Sequence, residues 1–294
     1  MENNDQKVCL VTGASGLLGS HLLPLLCRSF SVFAITSQAR PPPVDNDVTW
    51  LCIDLSCDHW ESQLPKKIDH VVHLAQSNRF RDFPQEALHV FQVNTVSTIK
   101  LVIAAKERGA LSFIYASTGG VYGNNKEECF VEEQLTTNLG FYPASKLSAE
   151  VCLESFRQYL SVWIIRPFFI YGENQNRSML LPRLVDAVAN GKPITLQGEN
   201  GLFINPIHVS DAAAMVAKCV GKLHGCTINM AGPETISLKE ICLIIGEKLK
   251  KKPVFEVQNK VTSDPRCVGN MEATTKVLGV EARVRFRDGV DSIL

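Results

Sequence analysis

The sequence predicts an α/β fold built on an open, doubly wound parallel sheet, and three observations carry that prediction. Short, solid apolar runs recur through the first half of the chain, as strands covered on both faces require. Amphipathic stretches of helical length separate these runs, giving strand–helix–strand units. At the first strand-to-helix junction, glycines fall at positions 13, 16 and 19.

The elements follow in order. Lys7 to Thr12 reads as a strand, because Val8, Cys9, Leu10 and Val11 form one apolar run. Leu17 to Arg28 reads as a helix and Ser31 to Thr36 as a second strand. The prolines at 41, 42 and 43 forbid helix or central strand there. Strands follow over Val48 to Ile53 and His70 to Leu74, and a long helix over Gln85 to Arg108 is stopped by Gly109. Leu111 to Ala116 is the fifth strand, Tyr142 to Tyr159 a helix, and Val162 to Arg166 the sixth strand. After Gly172 the pattern changes. Helices are expected over Arg177 to Gly191, from Ser210-Asp211, and over Leu238 to Lys250. At ~150 residues per domain, 294 residues make roughly two domains, or one large domain with an appendage. The first spans residues 1–172, with about 205–221 returning to it; residues 173–204 and 222–294 form a smaller region expected to cover it as a lid.

Composition narrows the function. Thirty basic residues balance thirty acidic ones, so no polybasic surface points to nucleic acid. No uninterrupted apolar run approaches the ~18 residues of a spanning helix, and the polar, acidic N-terminus has no signal-peptide pattern. The 10 cysteines are scattered and none forms C-x-x-C, so neither a disulfide framework nor a zinc site is expected. They read as reduced, buried side chains of a cytoplasmic protein.

The glycine spacing has a chemical reading. The first glycine allows a tight turn, the second lets a pyrophosphate approach the backbone, and the third lets helix pack on strand. The amides opening the helix then face the phosphate charge, so a dinucleotide is the expected cofactor. An acid ending the second strand would hold a ribose 2′-hydroxyl, but the stretch is Thr36-Ser37-Gln38-Ala39-Arg40. Ser37 and Arg40 suit a 2′-phosphate, which favours NADP over NAD. Asp54-Leu55 is placed to touch adenine; Asp54 reads equally as a turn residue.

Strand five ends in Ser117-Thr118-Gly119-Gly120, and Tyr142-Pro143-Ala144-Ser145-Lys146 follows. Four residues apart on a helix, Tyr142 and Lys146 share one face. A tyrosine with an ordinary pKa near 10 needs a drop of up to ~3 units to act near neutrality, and an adjacent ammonium has the sign to supply it.

These residues resemble an extended short-chain dehydrogenase/reductase of the NAD-dependent epimerase/dehydratase family. The matching stretches are T-G-A-S-G-L-L-G from Thr12, D-L at Asp54, H-L-A at His73, V-N-T at Val93 and S-T-G-G-V-Y-G at Ser117. Y-P-A-S-K at Tyr142, R-P-F-F-I-Y-G at Arg166 and H-V-S-D at His208 complete the set. They run in family order over roughly residues 7 to 221. The resemblance implies a Rossmann-type sheet with a smaller C-terminal substrate-binding region. It implies Tyr142 as general acid/base, Lys146 lowering its pKa and holding the nicotinamide ribose, and Thr118 bonding the reacting oxygen, with Ser117 the alternative. Expected cofactor contacts are Gly13, Ser15, Gly16, Leu17, Gly19, Ser37, Arg40, Asp54, Leu55, Leu74, Ala75, Asn94, Tyr142, Lys146 and Pro167. Expected substrate contacts are Gln76, Phe169, Asn176, Arg177, Asn205 and Arg266. His208 resembles a scaffold position, with Ser210 or Asp211 capping its helix. The resemblance also implies a homodimer that joins helices 85–108 and 142–159 into a four-helix bundle.

The sequence departs from the family in places. Dehydratases usually carry Asp-Glu after the catalytic threonine, where this chain has Gly119-Gly120, so dehydration is not expected. Phe169 replaces the asparagine, and Ile204-Asn205-Pro206 lacks the arginine, that often hold a nucleotide diphosphate. Three readings follow. The preferred one is an NAD(P)-dependent epimerase of a nucleotide sugar acting at a C4-type carbon. The alternative is an NADP-dependent ketoreductase or alcohol dehydrogenase. The third, a non-catalytic cofactor sensor, is opposed by the intact Thr118, Tyr142 and Lys146.

Overall fold

In the computed structural model, residues 6–38, 48–123, 128–134, 139–258 and 264–294 are described. Strand β1 (Val8–Thr12) leads into helix α1 (Leu17–Leu26), followed by strands β2 (Ser31–Thr36), β3 (Val48–Cys52) and β4 (His70–His73). Helix α2 (Ala87–Phe91) passes through a π-helical turn, Gln92–Val96, into α3 (Ser97–Glu107). Strand β5 (Ser112–Ala116), helix α4 (Phe141–Glu154) and strand β6 (Ser161–Pro167) complete the series.

The sheet has seven strands, in the order Thr227–Met230, β6, β5, β4, β1, β2, β3. The pairs from β6 to β3 all run parallel. This is the doubly wound order, and it reverses between β1 and β4. Ligands of such sheets bind beyond the strand C-termini at that reversal. Thr12 and His73 end the two strands, paired in register. The solid apolar runs are buried as parallel packing requires: Leu10, Val71, Phe113, Val162 and Ile164 are at most 1% exposed. Each contributes about 1.5–3 kcal/mol by burial.

Helix α4 buries Ser145, Lys146, Ala149, Glu150 and Leu153, a stripe at helical spacing. It ends at Glu154, five residues short of the sequence expectation, and Phe156 and Leu160 close it in turns. Among the described residues one helix, Ala87–Glu107, is long and apolar enough on average to cross a membrane, although polar residues interrupt its apolar run, and half of its apolar window is buried inside the fold. Leu101, Val102, Ala104 and Ala105 sit in the core cluster with Phe113, as befits a core helix.

The chain forms two compact units. One holds residues 1–124, 135–166 and 213–228; the other holds 125–134, 167–212 and 229–294. The division falls at the end of β6, not at Gly172. There the backbone hydrogen bonds turn to the second unit: Phe168 N–H donates to the Met230 carbonyl and Phe130 N–H to that of Val268. Within the second unit, helix Leu180–Ala189 and helix Leu238–Leu249 share a core of Leu181, Leu184, Ile241 and Ile245. Ser237 and Glu240 form a capping box on the latter helix. Helix Val209–Cys219 is opened differently from expectation. The His208 ring nitrogen, at 3.3 Å, takes the Ser210 N–H, while the Asp211 carboxylate accepts from Arg283 and Val284 N–H groups, each at 2.8 Å. Asp211 therefore caps another segment's backbone. His208 bonds Ser210 through Nδ1 and Ser292 through Nε2, a fully used scaffold histidine.

Candidate active site

The glycine loop is shaped by backbone crowding. Gly13 has φ +65°, and a Cβ on it would lie 2.7 Å from the Ala75 nitrogen. A Cβ on Gly19 would lie 2.5 Å from the Gly13 carbonyl oxygen and 2.6 Å from that of Ala14. So β1, the loop after β4 and α1 close on one another only without side chains. Helix α1 opens at Gly16 with no side-chain cap and no acid in its first turn. Its first N–H groups thus remain for an anion, and the loop fits a dinucleotide diphosphate.

At the end of β2, Thr36 Oγ1 bonds Ser15 Oγ (2.9 Å) and accepts the Gln38 N–H (3.1 Å). Ser37 is exposed beside it. Arg40 lies outside the described residues. Asp54 forms a turn, accepting from Ser56 N–H and Oγ–H, and these bonds hold its carboxyl below the usual range. Leu55 is buried beneath it.

The turn after β4 is tied to the neighbouring strand and helices. Thr12 Oγ1 lies 2.5 Å from His73 Nδ1 and accepts the Ala75 N–H, while Thr98 Oγ1 takes His73 Nε2 at 2.8 Å. Burial keeps His73 neutral, with its pKa pushed down to about 3. Asn94, in the π-helical turn, accepts the Ser77 N–H and donates to Ser145 Oγ at 3.0 Å. Both ends of its amide are therefore engaged with protein.

Thr118 follows β5, with its hydroxyl oxygen accepting the Gly120 N–H at 3.1 Å. Tyr142 lies in the first turn of α4, with Lys146 one turn on. The Tyr142 hydroxyl donates to Gln76 Oε1 at 2.6 Å, and the Phe80 ring lies 4.9 Å from its own. Lys146, 1% exposed, donates to the Ala116 carbonyl (2.8 Å) and sits 4.8 Å over the Tyr115 ring. Burial lowers its pKa to about 7, opposed by the Glu150 carboxylate. The sequence expects the ammonium to pull the Tyr142 pKa down. Instead burial raises it, and only the Thr118 side chain works the other way. The physical reason is that the fold takes the phenol out of water, while the Lys146 ammonium donates to the Ala116 carbonyl.

Glu150, Ser117 and Arg166 form a buried group that sequence reasoning missed. Arg166 holds both Glu150 oxygens, and Ser117 Oγ–H donates to the same carboxylate. Ser117 is thus turned into this scaffold, while the Thr118 hydroxyl is not part of it. The signal was present: Tyr142, Lys146 and Glu150 repeat at four-residue spacing.

The candidate substrate residues of the second unit are largely spent on its scaffold. Asn205, 4% exposed, pairs through its amide with the Gly269 carbonyl and N–H. Arg177 holds Asp186 and the Ile293 carbonyl (2.7 Å). Asn176 accepts the Ser178 N–H, and Arg266 lies over the Phe203 ring and donates to the Glu128 carbonyl. Phe169 takes a left-handed φ of 43°, and Pro167 ends β6.

The chain is similar to known proteins along most of its length. The chain is 24% identical to an uncharacterised UDP-glucose epimerase, YtcB, of Bacillus subtilis (strain 168), covering 96% of this chain and 95% of that one. It is 30% identical to a GDP-6-deoxy-D-mannose reductase of Pseudomonas aeruginosa, covering 95% and 90%. The structure of MoeE5 in complex with UDP-glucuronic acid and NAD superposes with a TM-score of 0.82 at 26% identity, covering 97% and 96%. Residues 9–231 match the family described as NAD dependent epimerase/dehydratase, and the chain belongs to that family.

Proposed function

We propose that the chain is an NAD(P)-dependent epimerase of a nucleotide sugar, acting at a C4-type carbon, with Tyr142 moving the proton. One observation carries this reading: Tyr142 and Lys146 stand one turn apart on α4, with Thr118 just past the end of β5. The nucleotide-sugar enzymes among its relatives support the substrate class.

A bound nicotinamide dinucleotide supplies hydride transfer. Gly13, Gly16 and Gly19 leave room for its diphosphate, and the amides opening α1 bind that charge. Thr118 holds the reacting oxygen by a hydrogen bond. Tyr142 gives a proton to that oxygen or takes one from it. Lys146 supplies positive charge next to the site, which steadies a phenolate when one forms. Gly119 and Gly120 offer no carboxylate for dehydration.

A reductase is the second reading, favoured by one observation. β2 ends at Thr36, and Ser37 and Gln38 follow it without an acid, which suits NADP. Protein purified without added cofactor separates the two. Stoichiometric NAD released on denaturation supports the epimerase; an empty protein that prefers NADPH supports the reductase. In either case Tyr142→Phe lowers turnover about 10²–10⁴-fold with dinucleotide binding retained, and unchanged turnover would remove the assignment. We also propose a homodimer, supported by Leu88 (88% exposed) and Val151 (64% exposed) on the helices that would meet. A monomer by light scattering would refute it.

A further inference from the structure

The turn after β4 brings a second polar side chain to the phenol of Tyr142. Gln76 places its amide oxygen 2.6 Å from the Tyr142 hydroxyl and accepts its hydrogen. The backbone on both sides of Gln76 is pinned. Ala75 N–H donates to Thr12 Oγ1 at 3.2 Å, and Ser77 N–H donates to Asn94 Oδ1 at 2.9 Å. The other end of the pair is held by the same residues. Asn94 Nδ2 donates to Ser145 Oγ, which donates to the Tyr142 carbonyl at 2.7 Å. A single chain of hydrogen bonds therefore fixes the loop that carries the amide and the helical turn that carries the phenol. Gln76 itself is exposed, so it contributes no core.

We propose that Gln76 is a positioning residue for Tyr142, holding the phenol oxygen and governing whether it stands as phenol or phenolate. The proposal rests on the reading of Tyr142 as the acid/base. An amide suits the task because it serves both states. Its carbonyl accepts from the phenol, and after a half-turn its NH₂ donates to the phenolate. A carboxylate could serve only the first, and an ammonium only the second. Other charged and titratable groups surround the site. Lys146 and Glu150 lie on the same helix, His73 and Tyr115 on β4 and β5, and Arg81 sits over the Phe80 ring. Arg79 pairs with Glu86 on the same loop. Against that fixed background, charge at position 76 should move the proton on Tyr142.

Nitration by tetranitromethane tests this without turnover, because the reagent is uncharged and attacks tyrosinate. Rates would be read peptide by peptide on the intact protein at about pH 8, with Tyr159, exposed on the surface, as internal reference. Gln76→Glu is expected to slow Tyr142 nitration about tenfold, and Gln76→Lys to speed it about tenfold, with Tyr159 unchanged. Equal Tyr142 rates in the parent and both variants would overturn the proposal and leave the acid/base reading standing. Full turnover of UDP-glucose by Tyr142→Phe would instead overturn the acid/base reading, and the proposal with it.

Discussion

Glu150 and Arg166 form a buried ion pair one helical turn beyond Lys146. Arg166 Nη2 lies 2.7 Å from Oε2, and Nε lies 3.2 and 3.3 Å from the two carboxylate oxygens. The carboxylate also takes the Ser117 hydroxyl, and Arg166 Nη1 reaches the Tyr122 hydroxyl at 3.0 Å. A single acid thus ties α4, the end of β5 and β6, so the elements bearing Thr118, Tyr142 and Lys146 are held in one register.

Removing that acid leaves a buried guanidinium without its counter-charge. Glu150→Ala is expected to cost about 3–5 kcal/mol, read from the urea midpoint at constant slope. A loss below about 1 kcal/mol would mean that Tyr122 and water satisfy Arg166 unaided.

Lys146 makes stability depend on alkaline pH. Its folded pKa is depressed to about 7, against roughly 10.4 in an unfolded chain. Between those values the unfolded state binds more protons, so this residue's contribution to stability rises with pH. From pH 7 to 9 the parent should gain about 2 kcal/mol relative to Lys146→Met. Parallel denaturation curves for the two proteins at both pH values would show that the amine is not desolvated.

Much of this was legible in the sequence because it is local. The glycines lie within seven residues of one another, and Tyr142 and Lys146 lie one turn apart on a single helix. The solid apolar runs required a two-sided parallel sheet, and six of its strands fall where those runs are. What escaped depends on distant partners. Asn205 is consumed by Gly269, Arg177 by Ile293 and Asp211 by Arg283, each more than sixty residues away. A polar residue in a family motif position reads as a ligand contact until such a partner is known. The direction of the Tyr142 shift escaped for a related reason. Spacing puts an ammonium on the same face, but only the fold turns it toward Ala116.

His73 sets an acid limit. Its folded pKa of about 3 lies below the ordinary 6.5, because burial between Thr12 and Thr98 favours the neutral ring. Below pH 6.5 the unfolded chain takes up the proton first, so stability falls at up to ~1.4 kcal/mol per pH unit until about pH 3. Urea unfolding at pH 7 and 5 should show the parent losing about 2 kcal/mol more than His73→Gln. An equal loss in both would place the acid sensitivity elsewhere.

The three loop glycines should not be equivalent. A Cβ on Gly19 meets two carbonyl oxygens and the Ala14 Cα within 2.7 Å, all of them backbone, so no rotamer change relieves it. A Cβ on Gly16 meets only the Gly13 oxygen, at 3.2 Å, and Gly16 has an ordinary φ of −80°. Gly19→Ala must therefore push α1 away from β1, moving the amides that open the helix. It should weaken dinucleotide binding at least tenfold and lower stability by about 1–3 kcal/mol. Gly16→Ala should stay within about 1 kcal/mol of the parent in stability, since a few tenths of an ångström relieve the contact. Calorimetric titration with NAD and NADP, beside thermal unfolding of each variant, reads both effects. Equal behaviour of the two variants would mean that helix–strand closeness at Gly19 does not set the loop.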